Sequence, residues 1–271
     1  MNHGSSIGTR LRDWRQRRRM TQLELAGAAG ISTRHMSFME TGRSVPSRTM
    51  LLRLSALLDV PLRDRNDLMT SAGYAPIYRE QDLDAAGMTA AREAVDRILA
   101  GHEPYPALAV DRHWQLIAAN RAFPALLAGV AEALLRPPVN VLRLSLHPDG
   151  VAPRIANLAQ WRAHVLERLR HQLQATADPA LDRLLTELQD YPCAQAAHPT
   201  PTDALDSIVI PLQLHDGQGG LLSFFSTTTV FGTPRDITLS ELAIESFFPA
   251  DVHTAAAMRT ALADAGCGAT N

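Results

Sequence analysis

The chain has 271 residues, 46% hydrophobic and 20% charged, enough for one large core or two ordinary ones and outside the range of disordered sequence. No apolar run approaches the ~18 residues of a membrane span, and residues 1–19 hold no apolar signal core, so a cytoplasmic protein without a membrane partner is expected. The net charge of −2 hides an asymmetry: residues 1–60 carry ten Arg against four acids, and the remainder carries sixteen against twenty-four. A basic head on an acidic body suggests that the head meets a polyanion.

Residues 7–72 read as a run of short helices. Ile7, Leu11 and Trp14 mark the apolar face of the first, surrounded by arginines. Thr21 followed by Glu24 forms a capping box that starts a second helix at Gln22, and Gly30 stops it. Ser32 caps a third helix through Met39, ended by Gly42, and Ser47 caps a fourth. Val60-Pro61 breaks the chain before a fifth, residues 62–72. Residues 75–103 read as a connector, polar and helical over 83–99.

From Tyr105 the pattern becomes mixed. Residues 107–111 and 115–119 alternate like a hairpin, 122–135 read as helix, and 140–146 as another short one. Residues 158–173 and 179–189 are amphipathic helices, followed by a Pro-rich loop over 192–202. Strands over 208–214 and 221–230 are joined by the Asp216-Gly217-Gln218-Gly219 turn, with a further strand over 242–248 and a closing helix over 252–265. Strands flanking a block of helices predict an antiparallel sheet covered on one face. The domains are thus 1–74, the connector 75–103, and 104–271.

The sharpest motif runs from Thr21 to Ser32: two short helices joined by a tight turn, small residues at their crossing, and Ile31 plugging the core. That geometry lets the second helix enter a major groove ~12 Å wide while the first crosses the backbone. Together with Glu40-Thr41-Gly42-Arg43, the segment resembles the lambda-repressor-like helix-turn-helix of the xenobiotic-response-element (XRE) family over residues 7–72. The resemblance implies an all-α DNA-binding domain in which Gln22 lies near the phosphates. Thr33, Arg34, Ser37 and Phe38 then face the groove, and Arg43 sits against phosphate. His35 faces the backbone or solvent. The positions that family members often pair hold Arg15 and Glu40 here, a structural pair. Arg34 can contact guanine in bidentate fashion, whereas Phe38 departs from the polar residue of phage repressors and packs on a thymine methyl or on its neighbours.

Further segments extend the likeness: Ala109–Trp114, Ala118–Asn120, Asn140–Leu144, His147-Pro148, Arg154–Trp161, Thr229–Pro234 and Glu241–Pro249. With the head they resemble the MmyB-like regulators, which join it to a C-terminal ligand-binding domain. The resemblance implies an α+β, PAS-like domain, a fatty acid as effector, and transcriptional control in the bacterial cytoplasm, on the nucleoid when bound. Asn120, Arg143, His147, Arg154, Trp161 and Phe224 are the candidate pocket or headgroup contacts. Each also has a plainer reading: Trp161 in the core, Asn120 as a strand-end cap, His147 closing a helix, Arg154 on the surface. The group is favoured over any one member.

No catalytic or phosphate-binding motif stands out, so no enzyme and no cofactor is expected. Cys193 and Cys267 form no ligand set, and His164 and His171, seven apart on one helix, are too distant to share a metal readily. The expected partners are a double-stranded DNA operator, a small hydrophobic ligand and a second copy of the chain, since one recognition helix reads only a few base pairs. The competing reading makes the body an interaction or dimerisation module without ligand.

Overall fold

The structure is a computed structural model, and it describes residues 6–193, 209–217 and 219–267. The loop expected over 192–202 therefore lies largely outside the described residues, as does Gln218 of the hairpin turn. Two compact units result. The first holds the described residues up to Gln81 together with Thr233–Ser240; the second holds Asp82–Gly232 and the chain from Glu241 onward.

Five helices build the first unit: α1 (Ile7–Arg17), α2 (Gln22–Ala29), α3 (Thr33–Glu40), α4 (Arg48–Leu57) and α5 (Leu62–Ser71). Their starts follow from side chains that accept the otherwise orphaned N–H groups of a first turn. Ser6, Ser32 and Ser47 accept from Thr9, His35 and Met50, and Thr21 and Glu24 cap each other reciprocally. Gly30 ends α2 with φ +65°, a left-handed turn that glycine adopts without steric cost. Leu11, Trp14, Leu25, Met36, Leu51 and Leu68 meet in one core. Gly8 sets the crossing of α1 and α3: a Cβ there would stand 2.5 Å from the Met39 carbonyl oxygen.

The excursion Thr233–Ser240 completes this unit. It carries one short turn, α10 (Ile237–Ser240). The Ile237 N–H donates to the Arg79 carbonyl at 2.8 Å, and Thr238 Oγ1 donates to the Gln81 carbonyl at 2.7 Å. Ile237 itself is buried.

In the second unit, β1 (Ala107–Val110), β2 (Leu116–Ala119), β3 (Leu212–His215), β4 (Leu221–Val230) and β5 (Ala243–Pro249) form one antiparallel sheet of order β2-β1-β5-β4-β3. Helices α6 (Thr89–Gly101), α7 (Val141–Leu146), α8 (Leu158–Thr176), α9 (Pro179–Asp190) and α11 (Val252–Cys267) complete an α+β unit. The larger core joins Leu108 and Val110 of β1 and Phe247 of β5 to Leu169, Leu184 and Leu188 of α8 and α9.

The sheet departs from the expectation of one covered face. Ala107 and Ala109, on the other side of β1, are fully buried against Val95 and Leu99 of α6. Their small side chains let a helix lie close, so β1 is covered on both faces. The helix expected over 122–135 is two separate 3-10 turns, Phe123–Leu127 and Glu132–Leu135. Pro124 removes a backbone donor in the first, and Gly129 at φ +79° turns the chain between them. The strand expected from 208 begins at Leu212, just after Pro211, which has no N–H for a ladder. No helix among the described residues is long and apolar enough to cross a membrane.

Candidate functional site

In the first unit, α3 presents an exposed, cationic surface. Thr33, Arg34, His35 and Arg43 are exposed, Ser37 and Phe38 are half-buried, and Met36 and Met39 turn inward to the core. Arg34 and Arg43 flank Phe38, their guanidinium carbons 5.3 and 5.7 Å from the ring centroid. An aromatic face that attracts two cations restrains both without consuming their hydrogen-bond donors. Phe38 thus holds one arginine on the helix and another just beyond it as a prepared pair.

The support beneath is a buried ion pair. Arg15 of α1 meets Glu40 of α3 through two bonds, Nε to Oε1 at 2.6 Å and Nη2 to Oε2 at 3.0 Å, and Nη1 donates to the Met20 carbonyl. Gln22 Nε2 also donates to Glu40 Oε2, at 2.8 Å. Burial disfavours the Glu40 charge, but these bonds and the charges of Arg15 and Arg12 outweigh it, holding the carboxyl below its usual range. The arrangement ties the start of α2 and the end of α3 to α1.

In the second unit a cavity of about 70 Å³ lies between the sheet and the helices. Its wall is mostly apolar, with Leu108, Phe123, Val141, Val165, Leu214 and Phe247 among its residues. Two indoles line it with their N–H groups already committed: Trp114 Nε1 donates to Gln172 Oε1 and Trp161 Nε1 to Ser145 Oγ, both at 2.8 Å. Trp114 reaches the cavity from a residue with φ +65°, in a turn closed by Asp111, whose Oδ1 accepts from the His113 and Gln115 N–H groups. The polar lining consists of Ser145, His164, Arg168 and Glu245. Arg168 Nη1 donates to Glu245 Oε1 at 2.9 Å while its guanidinium covers the Trp114 ring at 4.4 Å. Burial, then the Arg168 charge, lowers the His164 pKa against the smaller pull of Glu245, which favours the neutral imidazole.

Residues 91–261 match the MmyB-like transcription regulator ligand binding domain. The chain belongs to the MmyB-like transcription regulators. In addition, residues 6–68 match a helix-turn-helix domain. The chain is 30% identical over 95 residues to the ImmF control region 10 kDa protein of Bacillus phage phi105, covering 35% of this chain and 100% of that one. It is also 34% identical over 83 residues to the uncharacterized HTH-type transcriptional regulator RghRB of Bacillus subtilis (strain 168), covering 30% of this chain and 58% of that protein. This MmyB-like regulator is accordingly a DNA-binding transcriptional regulator with a ligand-binding domain.

The residues singled out in this MmyB-like chain fall into distinct places. Thr33, Arg34, His35, Ser37, Phe38 and Arg43 lie on or just after α3, whereas the Gln22 amide is bonded to Glu40. Trp161 lines the cavity; Asn120, Arg143, His147, Arg154 and Phe224 are not among its lining residues. Asn120 is a buried staple, accepting from the Ala107 N–H and donating to the Leu99 and Tyr105 carbonyls. Arg143 is held by Glu187 at 2.6 and 2.8 Å. His147 Nδ1 accepts from the Asp149 N–H, and its ring packs on Tyr191. Arg154 donates to the Leu126, Ala128 and His215 carbonyls. Phe224 is fully buried edge-on to Phe247. The cavity's other polar residues, Ser145, His164, Arg168 and Glu245, were not among the candidates. One signal was legible: Trp161, His164, Val165 and Arg168 share one face of a helix by their spacing.

Proposed function

We propose that this chain is a ligand-responsive, sequence-specific regulator that binds an operator in double-stranded DNA as a homodimer. It works in the bacterial cytoplasm, on the nucleoid when bound, and has no enzymatic role. Its C-terminal domain is PAS-like and senses a small, fatty-acid-like molecule. The observation that carries the reading is the largely apolar cavity of the second unit, whose few polar groups cluster on α7, α8 and β5. Apolar walls with a small number of polar anchors are the usual make-up of a small-molecule site.

The chain path supports control of the head by that site. Strand β5 contributes Glu245 and Phe247 to the cavity, and the residues just before it, Thr233–Ser240, belong to the first unit. A ligand that favours one placement of β5 therefore acts on a strand continuous with a segment of the DNA-binding unit. It shifts that equilibrium only by its difference in affinity for the two states.

On the DNA side, Arg34 is the residue expected to read a base. In footprinting on the chain's own upstream region, Arg34→Ala is expected to weaken protection about tenfold to a hundredfold and relax preference at one base pair. Unchanged preference removes Arg34 from base readout. On the ligand side, native mass spectrometry of protein purified from bacterial cells is expected to show a retained, lipid-sized molecule. Its repeated absence, with no long-chain compound raising the melting temperature, favours an interaction module instead.

A further inference from the structure

Phe38 stands where a base reader is expected, yet its ring carries no hydrogen-bonding group. It lies one helical turn after Arg34, so the two side chains share the outward face of α3. The Arg34 guanidinium carbon is 5.3 Å from the ring centroid and that of Arg43 is 5.7 Å away, so two cations hold a ring that is half-buried. Among the described residues, no hydrogen bond or ion pair engages the Arg34 guanidinium, which keeps all five of its N–H donors for a ligand. The Gln22 amide, by contrast, is spent on Glu40.

What such a pair can meet in a major groove is narrow. Guanine presents two acceptors side by side, the pattern a guanidinium fills, whereas adenine and cytosine each present an amino donor that opposes it. Nearly every other group on the groove edge is polar, and under a phenyl ring it would lose water without gaining a partner. The exception is the C5-methyl group of thymine, which cytosine has only when it is methylated. Side chains one turn apart, drawn together by the attraction between cation and ring, come down on neighbouring base pairs. A guanidinium on the guanine edge lies beside the base on the 5′ side, and there the ring meets the methyl group.

We propose that Arg34 and Phe38 read one dinucleotide step as a unit, a C5-methylated pyrimidine followed by guanine: Arg34 bonds the guanine and Phe38 covers the methyl group. Thymine and 5-methylcytosine serve alike, because the ring bonds neither the O4 nor the N4 that distinguishes them. Phe38 is thereby a specificity-determining residue. The inference rests on α3 being the base-reading helix of this DNA-binding unit.

The test begins with duplexes that the full-length protein selects from a random pool, the best of them remade with one base pair changed at a time. The selected duplexes are expected to contain a 5′-TG-3′ step. Exchange of that thymine for uracil, which removes the methyl group and nothing else, is expected to weaken binding about fourfold, the worth of one methyl group withdrawn from water. Cytosine in its place is expected to bind as uracil does, and 5-methylcytosine as thymine does. Phe38→Ala, checked by circular dichroism for retained helix, is expected to bind all four alike, and Arg34→Ala to lose the preference for the guanine. Selected sites without such a step, uracil binding as tightly as thymine, 5-methylcytosine binding as weakly as cytosine, a guanine preference that survives Arg34→Ala, or Phe38→Ala still sensing the methyl group overturns the proposal while leaving the chain a sequence-specific DNA binder. A pool from which no sequence is enriched overturns that reading and the proposal with it. If Phe38→Ala does not fold, the four-base series on the native protein decides alone.

Discussion

The two units differ in where the residues assigned a role above lie: outside the core in the first, within the core in the second. In the first, the arginines that face outward on and after α3 stand apart from the network that holds the helices: Arg34 and Arg43 touch Phe38, while Arg15, Gln22 and Glu40 do the bracing. In the second, Trp114, Trp161 and Arg168 are at once the lining of the cavity and part of what holds it together. A surface reader can change what it recognises without changing its stability. An internal sensor cannot, because each wall residue also supports its neighbours.

The largest expected effect breaks the brace. Arg15→Met leaves Glu40, whose side chain is wholly buried, without its main partner, and is expected to cost the first unit about 3–5 kcal/mol. Circular dichroism should show helix loss at lower temperature, with the environment of Trp114 and Trp161 retained. Loss of both signals together would mean that the two units do not melt separately.

A smaller effect tests the dual duty of the cavity wall. Trp161→Phe removes the donor to Ser145 and is expected to cost about 1 kcal/mol while also changing ligand affinity. A change in affinity with no change in the melting temperature would make the wall as separable as the surface of α3.

Acidity separates the units further. His164 has a pKa lowered by burial and by Arg168, with Glu245 opposing, so the unfolded chain takes up its proton first. Its cost to stability begins as pH falls through the ordinary value of 6.5 and stops growing below the folded one. Glu40 behaves otherwise. Its depressed pKa stabilises the fold above the ordinary 4.5, and that contribution goes as pH drops through the folded value. The second unit should therefore weaken first in a melting series from pH 7 downward, and His164→Phe should flatten the upper part of its curve. The smallest effect is the most telling for the first unit: Arg34→Ala is expected to move its stability by less than about 0.5 kcal/mol despite the loss in footprinting.

The same contrast explains what could be read from the chain. The first unit is built from short-range signals, such as Thr21 with Glu24, Gly30, Ser32 and Ser47, each acting on residues three or four positions away. Helices, caps and the outward face of α3 were legible for that reason. The destination of the Gln22 amide was not, because Glu40 lies a full helix further on. In the second unit the helices α8 and α9 and the strand β4 were legible from their periodicity, yet the cavity was not. Its polar groups come from Ser145, His164, Arg168 and Glu245, and the last reaches Arg168 across 77 positions, through the register of β5 in the sheet. Arginines chosen for their charge, Arg143 and Arg154, are instead occupied by Glu187 and by backbone carbonyls. A sequence shows which side chains can bind; pairing decides which are still at liberty to do so.

The excursion Thr233–Ser240 has a practical corollary for anyone wishing to exchange sensors between regulators. A fragment ended at Gln81 lacks the Ile237 amide that the Arg79 carbonyl accepts and the Thr238 hydroxyl that the Gln81 carbonyl accepts. Grafting this sensing half onto a foreign head, or the reverse, must carry that eight-residue detour with the head it completes, so the unit of exchange is discontinuous in the gene.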